Sequence, residues 1–245
     1  MKKERLDKLL SGSGLYTRSQ ARAAIVSGQV TVDGKSVRRP EEKVSRDASV
    51  VAEGRTVDTA EFVYYMMNKP AGTISATEDG VYPAVTSLLP KDLQNRGLFP
   101  VGRLDADVMG LLLLTDDGAF AHRVTAPRSE IPKTYEIIAD GELSDGDAAA
   151  LAAGVTMSDG TIYRPARLVL DDADPCRGLV TVTEGKFHEV KNLIASRGRK
   201  VTAMRRLSIG AMRLDESLKP GQIRRLTEAE RMLCFQCDAQ GIWQK

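Results

Sequence analysis

Cysteine is scarce in this chain: Cys176, Cys234 and Cys237 are the only three among 245 residues. An odd, sparse set argues against a disulfide framework and suits a reducing compartment. Met1-Lys2-Lys3-Glu4-Arg5 leads into no long apolar run, so neither a secretory signal nor a membrane span is expected, and the expected location is the cytoplasm. Histidine is scarcer still, with only His122 and His188. Cys234-Phe235-Gln236-Cys237 has zinc or redox spacing but no second ligand pair beside it, so no metal is expected. Gly12-Ser13-Gly14 lacks the phosphate-loop pattern, and no cofactor is implied. There is no internal repeat and no low-complexity segment. The net charge of +2 is too small to announce a nucleic-acid binder by itself.

Hydrophobic residues make up 42% of the chain, enough for a packed core in one large or two smaller domains. Charge is unevenly placed. Up to Arg39 the chain carries Lys2, Lys3, Arg5, Lys8, Arg18, Arg22, Lys35, Arg38 and Arg39 against Glu4, Asp7 and Asp33. A basic front on a near-neutral body points to a polyanion-binding module. Leu6 to Leu15 reads as a short helix. Thr17 or Ser19 caps a second helix over Gln20 to Ser27, stopped by Gly28. Arg18 and Arg22 lie one helical turn apart and share a face. Val30-Thr31-Val32 and Lys35-Ser36-Val37 flank Asp33-Gly34, a strong hairpin signal. A domain boundary is expected near Ala60.

Beyond it, Phe62 to Met67 reads as a strand, Thr73 to Ala76 as its resumption and Tyr82 to Pro90 as a short helix. Strands are expected at Leu111–Leu114, Lys133–Ala139, Ala166–Leu170, Gly178–Thr183, Lys200–Leu207 and Ile209–Leu214. Helices are expected after Asp116 or Asp117, over Asp147–Ala153 and over Phe187–Ala195. Thr227 with Glu230 matches a capping box. Strands with interspersed helices predict an α+β domain on a mixed sheet.

The chemistry centres on Gly102-Arg103-Leu104-Asp105-Ala106-Asp107-Val108-Met109-Gly110, just before the Leu-rich strand. A carboxylate on a loop backed by a rigid core strand suits catalysis, although on spacing alone a solvated surface turn is the commoner outcome for a short charged loop. Asp105 and Asp107 would point the same way in an extended segment, which a loop does not guarantee.

Gly102-Arg103-Leu104-Asp105, with Ala106-Asp107, Gly110 and Thr115-Asp116-Asp117-Gly118, resembles the signature of ribosomal RNA pseudouridine synthases, and within them the group acting on small-subunit RNA. The similarity extends to Asn68-Lys69-Pro70-Ala71-Gly72, Lys133-Thr134-Tyr135, Glu184 to Lys191 and Arg206-Leu207-Ser208-Ile209-Gly210, in the family's order. The front module resembles the S4 RNA-binding domain. The resemblance implies an α+β protein with an S4-like domain and linker over 1–60. A mixed-sheet catalytic domain with a central cleft then follows over 61–245. It implies uridine-to-pseudouridine isomerisation with Asp105 as the catalytic carboxylate, Lys191 as its partner cation and Tyr135 as the aromatic residue facing the base. Arg103 would fill the gap left by a flipped base or hold phosphate, and Lys69, Arg5, Lys8, Arg18 and Arg22 would contact RNA.

The implied partner is ribosomal RNA or a pre-ribosomal particle, met by a monomer away from membranes. Val108-Met109, Glu189 and Asn192-Leu193 depart from the family's usual residues, and Glu189 adds negative charge near the proposed ion pair. The competing readings are a large-subunit RNA synthase, a non-catalytic RNA-binding assembly protein, and a hydrolase using Asp105 with Asp107.

Overall fold

The computed structural model describes residues 3–236. Its contacts group into two units. The first comprises residues up to Val63 together with Thr86–Phe99, and the second Tyr64–Val85 with Pro100 onward.

The first unit begins with β1 (Lys3–Arg5), α1 (Leu6–Gly12) and α2 (Arg18–Val26). Thr17 accepts from the Gln20 amide while the Gln20 side chain accepts from the Thr17 amide, so both ends of this capping box are closed. The strands β2 (Val30–Val32), β3 (Lys35–Ser36), β5 (Val50–Ala52) and β6 (Arg55–Thr56) form a sheet in the order β3-β2-β5-β6, while β4 (Lys43–Ser45) pairs with β1. At the β2–β3 turn Asp33 and Gly34 both have positive φ, as a tight two-residue hairpin turn requires. Leu6, Leu9, Leu10, Ala21, Ile25 and Val30 lie at the centre of its core.

Sequence patterning assigns residues 61–99 to the second domain, whereas the contacts group Thr86–Phe99 with the first unit. The reason is a pair of bonds to distant residues of the chain. In α3 (Lys91–Arg96) Asn95 donates to the Gly14 carbonyl at 3.1 Å and Arg96 to the Ala60 carbonyl at 2.7 Å. The expected Tyr82–Pro90 helix is a 3-10 turn over Val85–Leu88, and residues 73–76 contribute only an isolated bridge, Ile74 to Ala84.

Strand β7 (Tyr64–Lys69) opens the second unit, and β8 (Phe99–Val101) lies at the border of the two. Then come β9 (Met109–Thr115), α4 (Gly118–Thr125), β10 (Lys133–Ala139) and α5 (Asp145–Ala152). A small hairpin, β11 (Val155–Thr156) and β12 (Ile162–Tyr163), precedes β13 (Arg167–Leu170) and β14 (Arg177–Val182). The last elements are α6 (Glu189–Ala195), β15 (Val201–Ile209), β16 (Met212–Arg213), β17 (Ile223–Arg225) and α7 (Glu228–Leu233). The mixed sheet runs β13-β14-β10-β15-β9-β7-β17. Its interior strand β9 is buried from Gly110 to Thr115, as an unbroken apolar run covered on both faces demands.

One row of register partners crosses five strands: Lys69, Gly110, Arg206, Tyr135 and Val180. Gly110 makes the parallel β9–β15 contact possible. Its φ is +101°, and a Cβ there would lie 2.3 Å from the Arg206 carbonyl oxygen. That close approach brings the start of β9, and the loop before it, beside β15 and β10.

Candidate active site

The loop between β8 and β9 is fastened from behind by the segment that follows β7. Ser75 Oγ accepts from the Leu104 amide at 2.9 Å and donates to the Leu104 carbonyl at 3.1 Å, and the Gly72 amide donates to the Ala106 carbonyl at 2.8 Å. Leu104 and Val108 are buried beneath the loop, while Asp105 and Asp107 project, with side chains 31% and 70% exposed. Apolar anchors on either side thus hold the loop and leave its carboxylates at the surface of a cleft.

Lys69 belongs to this fastening, which corrects its expected role in contacting RNA. The residue is 0% exposed, and its Nζ donates to the carbonyls of Val108 at 2.8 Å, Pro70 at 3.1 Å and Ala106 at 3.5 Å. Three carbonyls match the three donors of an ammonium. Burial pulls its pKa down to about 8, with the charges of Asp107 and Asp105 opposing and Arg206 adding to the fall. An interior amine of this kind braces the loop and is out of reach of a phosphate.

Helix α6 supplies the cation. Lys191 Nζ lies 2.9 Å from Asp105 Oδ2 and 2.7 Å from Asp107 Oδ1, so one ammonium joins two carboxylates from a segment 84–86 residues away. Burial alone would lower the Lys191 pKa, but its hydrogen bonds and charge pairing with Asp107 and Asp105 outweigh this and raise it. Burial likewise opposes ionisation of Asp107, and Lys191 more than offsets it, leaving that carboxyl below its usual value. Oδ1 of Asp105 has no hydrogen-bond partner among the described residues, so one oxygen is held and the other is open to the cleft.

Glu189 does not add a charge to this cluster in the way its sequence position suggests. Its carboxylate turns away and accepts from the amides of Gly185 at 2.7 Å and Lys186 at 3.0 Å, closing the turn before α6. Burial raises its pKa, with those two amides opposing. The turn ends at His188, whose φ of 52° is left-handed. His188 Nε2 comes within 3.3 Å of Asp105 Oδ2. Spacing gave no reason to bring His188 to Asp105. The only hint was its place three residues before Lys191, on the far side of a turn whose shape depends on Glu189.

Tyr135, on β10, is buried to 7% exposure and lines the same cleft as Asp105 and Lys191, with Leu104, Val108, Val182 and Met204 as apolar wall. The Arg206 guanidinium carbon stands 6.0 Å from the centre of its ring. Arg206 is itself buried and donates through Nε to the Leu111 carbonyl at 2.7 Å. Arg103 is exposed at the cleft edge. The catalytic trio expected from sequence therefore meets in one place, with Arg103 at its rim.

In the first unit, Arg5 and Arg22 are about half exposed and converge on Asp7. Arg5 Nη2 and Arg22 Nε lie 2.9 and 3.1 Å from its Oδ2. Asp7 is fully buried, and its pKa is pulled down to about 2 by the Arg5 hydrogen bond, against burial and with help from Arg22. Lys8 pairs with Glu4, and Arg18 is exposed on α2. Cys234 is buried, its thiol pushed up to about 12 by burial, and Cys237 lies outside the described residues. Among the described residues no group of His, Cys, Asp or Glu is arranged to hold a metal, and no helix is long and apolar enough to cross a membrane.

Comparison with known proteins bears on the same regions. Residues 63–196 match the family described as RNA pseudouridylate synthase, and residues 4–50 match the S4 domain. An uncharacterised RNA pseudouridine synthase of Bacillus subtilis is 42% identical, with 92% of this chain and 96% of that protein covered. The ribosomal small subunit pseudouridine synthase A of Haemophilus influenzae is 36% identical over 92% of this chain and 97% of its own. A solved structure described as pseudouridylate synthase is 34% identical, with a TM-score of 0.66 over 94% of this chain and 99% of that one.

Proposed function

This chain belongs to the RNA pseudouridylate synthase family, and we propose that it isomerises a uridine of small-subunit ribosomal RNA. The observation that carries the reading is the Lys191 bridge to Asp105, 2.9 Å long and set beside Tyr135. The isomerisation breaks the N1–C1′ glycosidic bond and forms a C5–C1′ bond. C5 loses a proton and N1 gains one, so atoms and electrons balance without a cofactor or external water. Asp105 acts on the sugar through its open Oδ1 while Lys191 holds Oδ2. Tyr135 takes the face of the flipped uracil against the apolar wall, and Arg103 stands where the vacated stack or its phosphate lies. A hydrolase would need a water-activating carboxylate at a set distance, whereas here Asp107 is occupied by Lys191.

The S4-matched unit is the RNA anchor in this reading, with Arg18 and the exposed parts of Arg5, Arg22 and Lys8 facing phosphate. The working form is a cytoplasmic monomer acting on ribosomal RNA or a pre-ribosomal particle. The working division is a binding domain to about residue 60, with which residues 86–99 group, and a catalytic domain formed by the rest. The test is to incubate small-subunit ribosomal RNA with the protein and with Asp105→Asn. Wild type should yield a mass-neutral pseudouridine at one site. Asp105→Asn should yield none while binding RNA within about twofold of wild type, since the amide keeps the volume and loses the charge. Free uracil in the products, or wild-type turnover by Asp105→Asn, would overturn the assignment.

A further inference from the structure

Phe187 is the one large apolar side chain of the α6 turn left in the open. It is 75% exposed, next to residues whose side chains line the cleft. Its ring is not loose. It stacks on His188 with centroids 3.7 Å apart and planes within 21°. His188 is in turn fixed by its left-handed backbone and by Nε2 at 3.3 Å from Asp105 Oδ2. The Phe187 carbonyl accepts from Asn192 Nδ2 at 3.4 Å, and that same nitrogen donates to the Tyr163 hydroxyl at 2.7 Å. One face of the phenyl ring is covered by imidazole and the other is open. A single exposed apolar ring is common on protein surfaces; this one differs in being held by its stack on His188 beside the cleft.

We propose that Phe187, backed by His188, is a stacking platform for an unpaired nucleobase adjacent to the uridine that enters the cleft. This inference rests on the isomerase reading of the same site. Three observations select this occupant. The platform is anchored through His188 to Asp105, so whatever stacks on it is placed in register with the reacting sugar. An aromatic face accepts any base, which suits the neighbour of a flipped nucleotide, itself unstacked on one side by the flip. Lys186 precedes the ring in sequence with its side chain 43% exposed, and its amine is held at 3.2 Å by Glu184, so a connecting phosphate would share that cation with the carboxylate.

The experiment uses the full chain and small-subunit ribosomal RNA, comparing wild type with Phe187→Ala, Phe187→Tyr and Phe187→Trp. The RNA concentration for half-saturation and the single-turnover rate at saturating RNA are read at several salt concentrations. Phe187→Ala should raise half-saturation about tenfold, in line with the loss of one stacked base. Its saturated rate should stay within about twofold of wild type, and the slope against salt should be unchanged because no phosphate contact is removed. Tyrosine and tryptophan should restore wild-type half-saturation.

Unchanged half-saturation in Phe187→Ala would overturn the platform. So would a defect that the two aromatic replacements fail to rescue, which would mark a structural role. A flattened salt slope would overturn it in favour of a backbone contact. If wild type forms no pseudouridine at all, the isomerase reading fails separately. Direct RNA titration of the same four proteins then decides whether the aromatic face binds a base.

Discussion

Replacing Lys69 with methionine tests the loop fastening, because the stabilising and destabilising effects can both be worked from the structure. The substitution keeps the volume of a 0% exposed side chain and removes an ammonium bonded to three carbonyls. Two of those carbonyls keep a second donor: the Gly72 amide on Ala106 and Thr73 Oγ1 on Pro70. The Val108 carbonyl loses the 2.8 Å contact, at a cost of about 1–3 kcal/mol for an unmet buried acceptor. Against this, the buried charge disappears.

The fall of the Lys69 pKa from 10.5 to about 8, at about 1.4 kcal/mol per pH unit, corresponds to about 3 kcal/mol, and screening by nearby water reduces it to about 2. The two effects nearly cancel at neutral pH, so Lys69→Met should unfold within about 1 kcal/mol of wild type. The pH dependence separates them. The folded-state value is depressed, so below about pH 8 both states hold the proton and the fold carries the full penalty. Between about 8 and 10.5 the unfolded chain keeps the proton and the folded chain does not, so stability rises with pH. About half of that rise, roughly 1 kcal/mol, falls between pH 7 and about 9.5.

Lys133, also lowered to about 8, chiefly by burial, contributes equally to both proteins and drops out of the difference. Urea unfolding of both proteins at the two pH values measures it: wild type should gain about 1 kcal/mol more than Lys69→Met. The single-turnover rate of Lys69→Met at neutral pH should fall at least about tenfold, because the loop carrying Asp105 loses its anchor at Val108. Identical pH dependence in the two proteins, or an undiminished rate, would refute the reasoning.

Lys191→Met should reduce the saturated isomerisation rate by about a hundredfold or more by leaving Asp105 and Asp107 without their shared cation, and Lys191→Arg should recover part of it; equal rates in all three proteins would exclude this lysine. Gly110→Ala puts a methyl 2.3 Å from the Arg206 carbonyl oxygen at a φ of +101°, so thermal unfolding should show a loss of about 3 kcal/mol or more, and an unchanged Tm would mean the β9–β15 contact is looser than it stands. Arg18→Ala should weaken RNA binding evenly across sequences and reduce the slope of log affinity against log salt by about one, which a filter-binding titration reads; an unchanged slope removes Arg18 from the phosphate surface.

Much of this protein is settled within short stretches of chain. The Thr17–Gln20, Ser144–Asp147 and Thr227–Glu230 boxes start helices because both partners lie three residues apart, whatever surrounds them. Asp33-Gly34 turns the β2–β3 hairpin because the backbone there needs two positive φ values. The Leu111–Leu114 run declares a buried strand by having no polar face. Asp105, Tyr135 and Lys191 are singled out through the family resemblance of their motifs, not through spacing, and the fold brings the three to one cleft.

What tertiary structure decided is the surroundings of each charge. Lys69 looks like a surface lysine on a turn, yet the β7–β9 pairing and the loop carbonyls enclose it. Glu189 looks like an extra charge beside an ion pair, yet the turn before α6 supplies two amides that take it. His188 meets Asp105 only because that turn is left-handed. Segment 86–99 groups with the first unit through bonds to Gly14 and Ala60, residues too far along the chain for any local pattern to signal. Caps, turns and apolar periodicity act over a few residues. Exposure, partner and pKa depend on every element that packs against a side chain, and those are set only when the sheet closes.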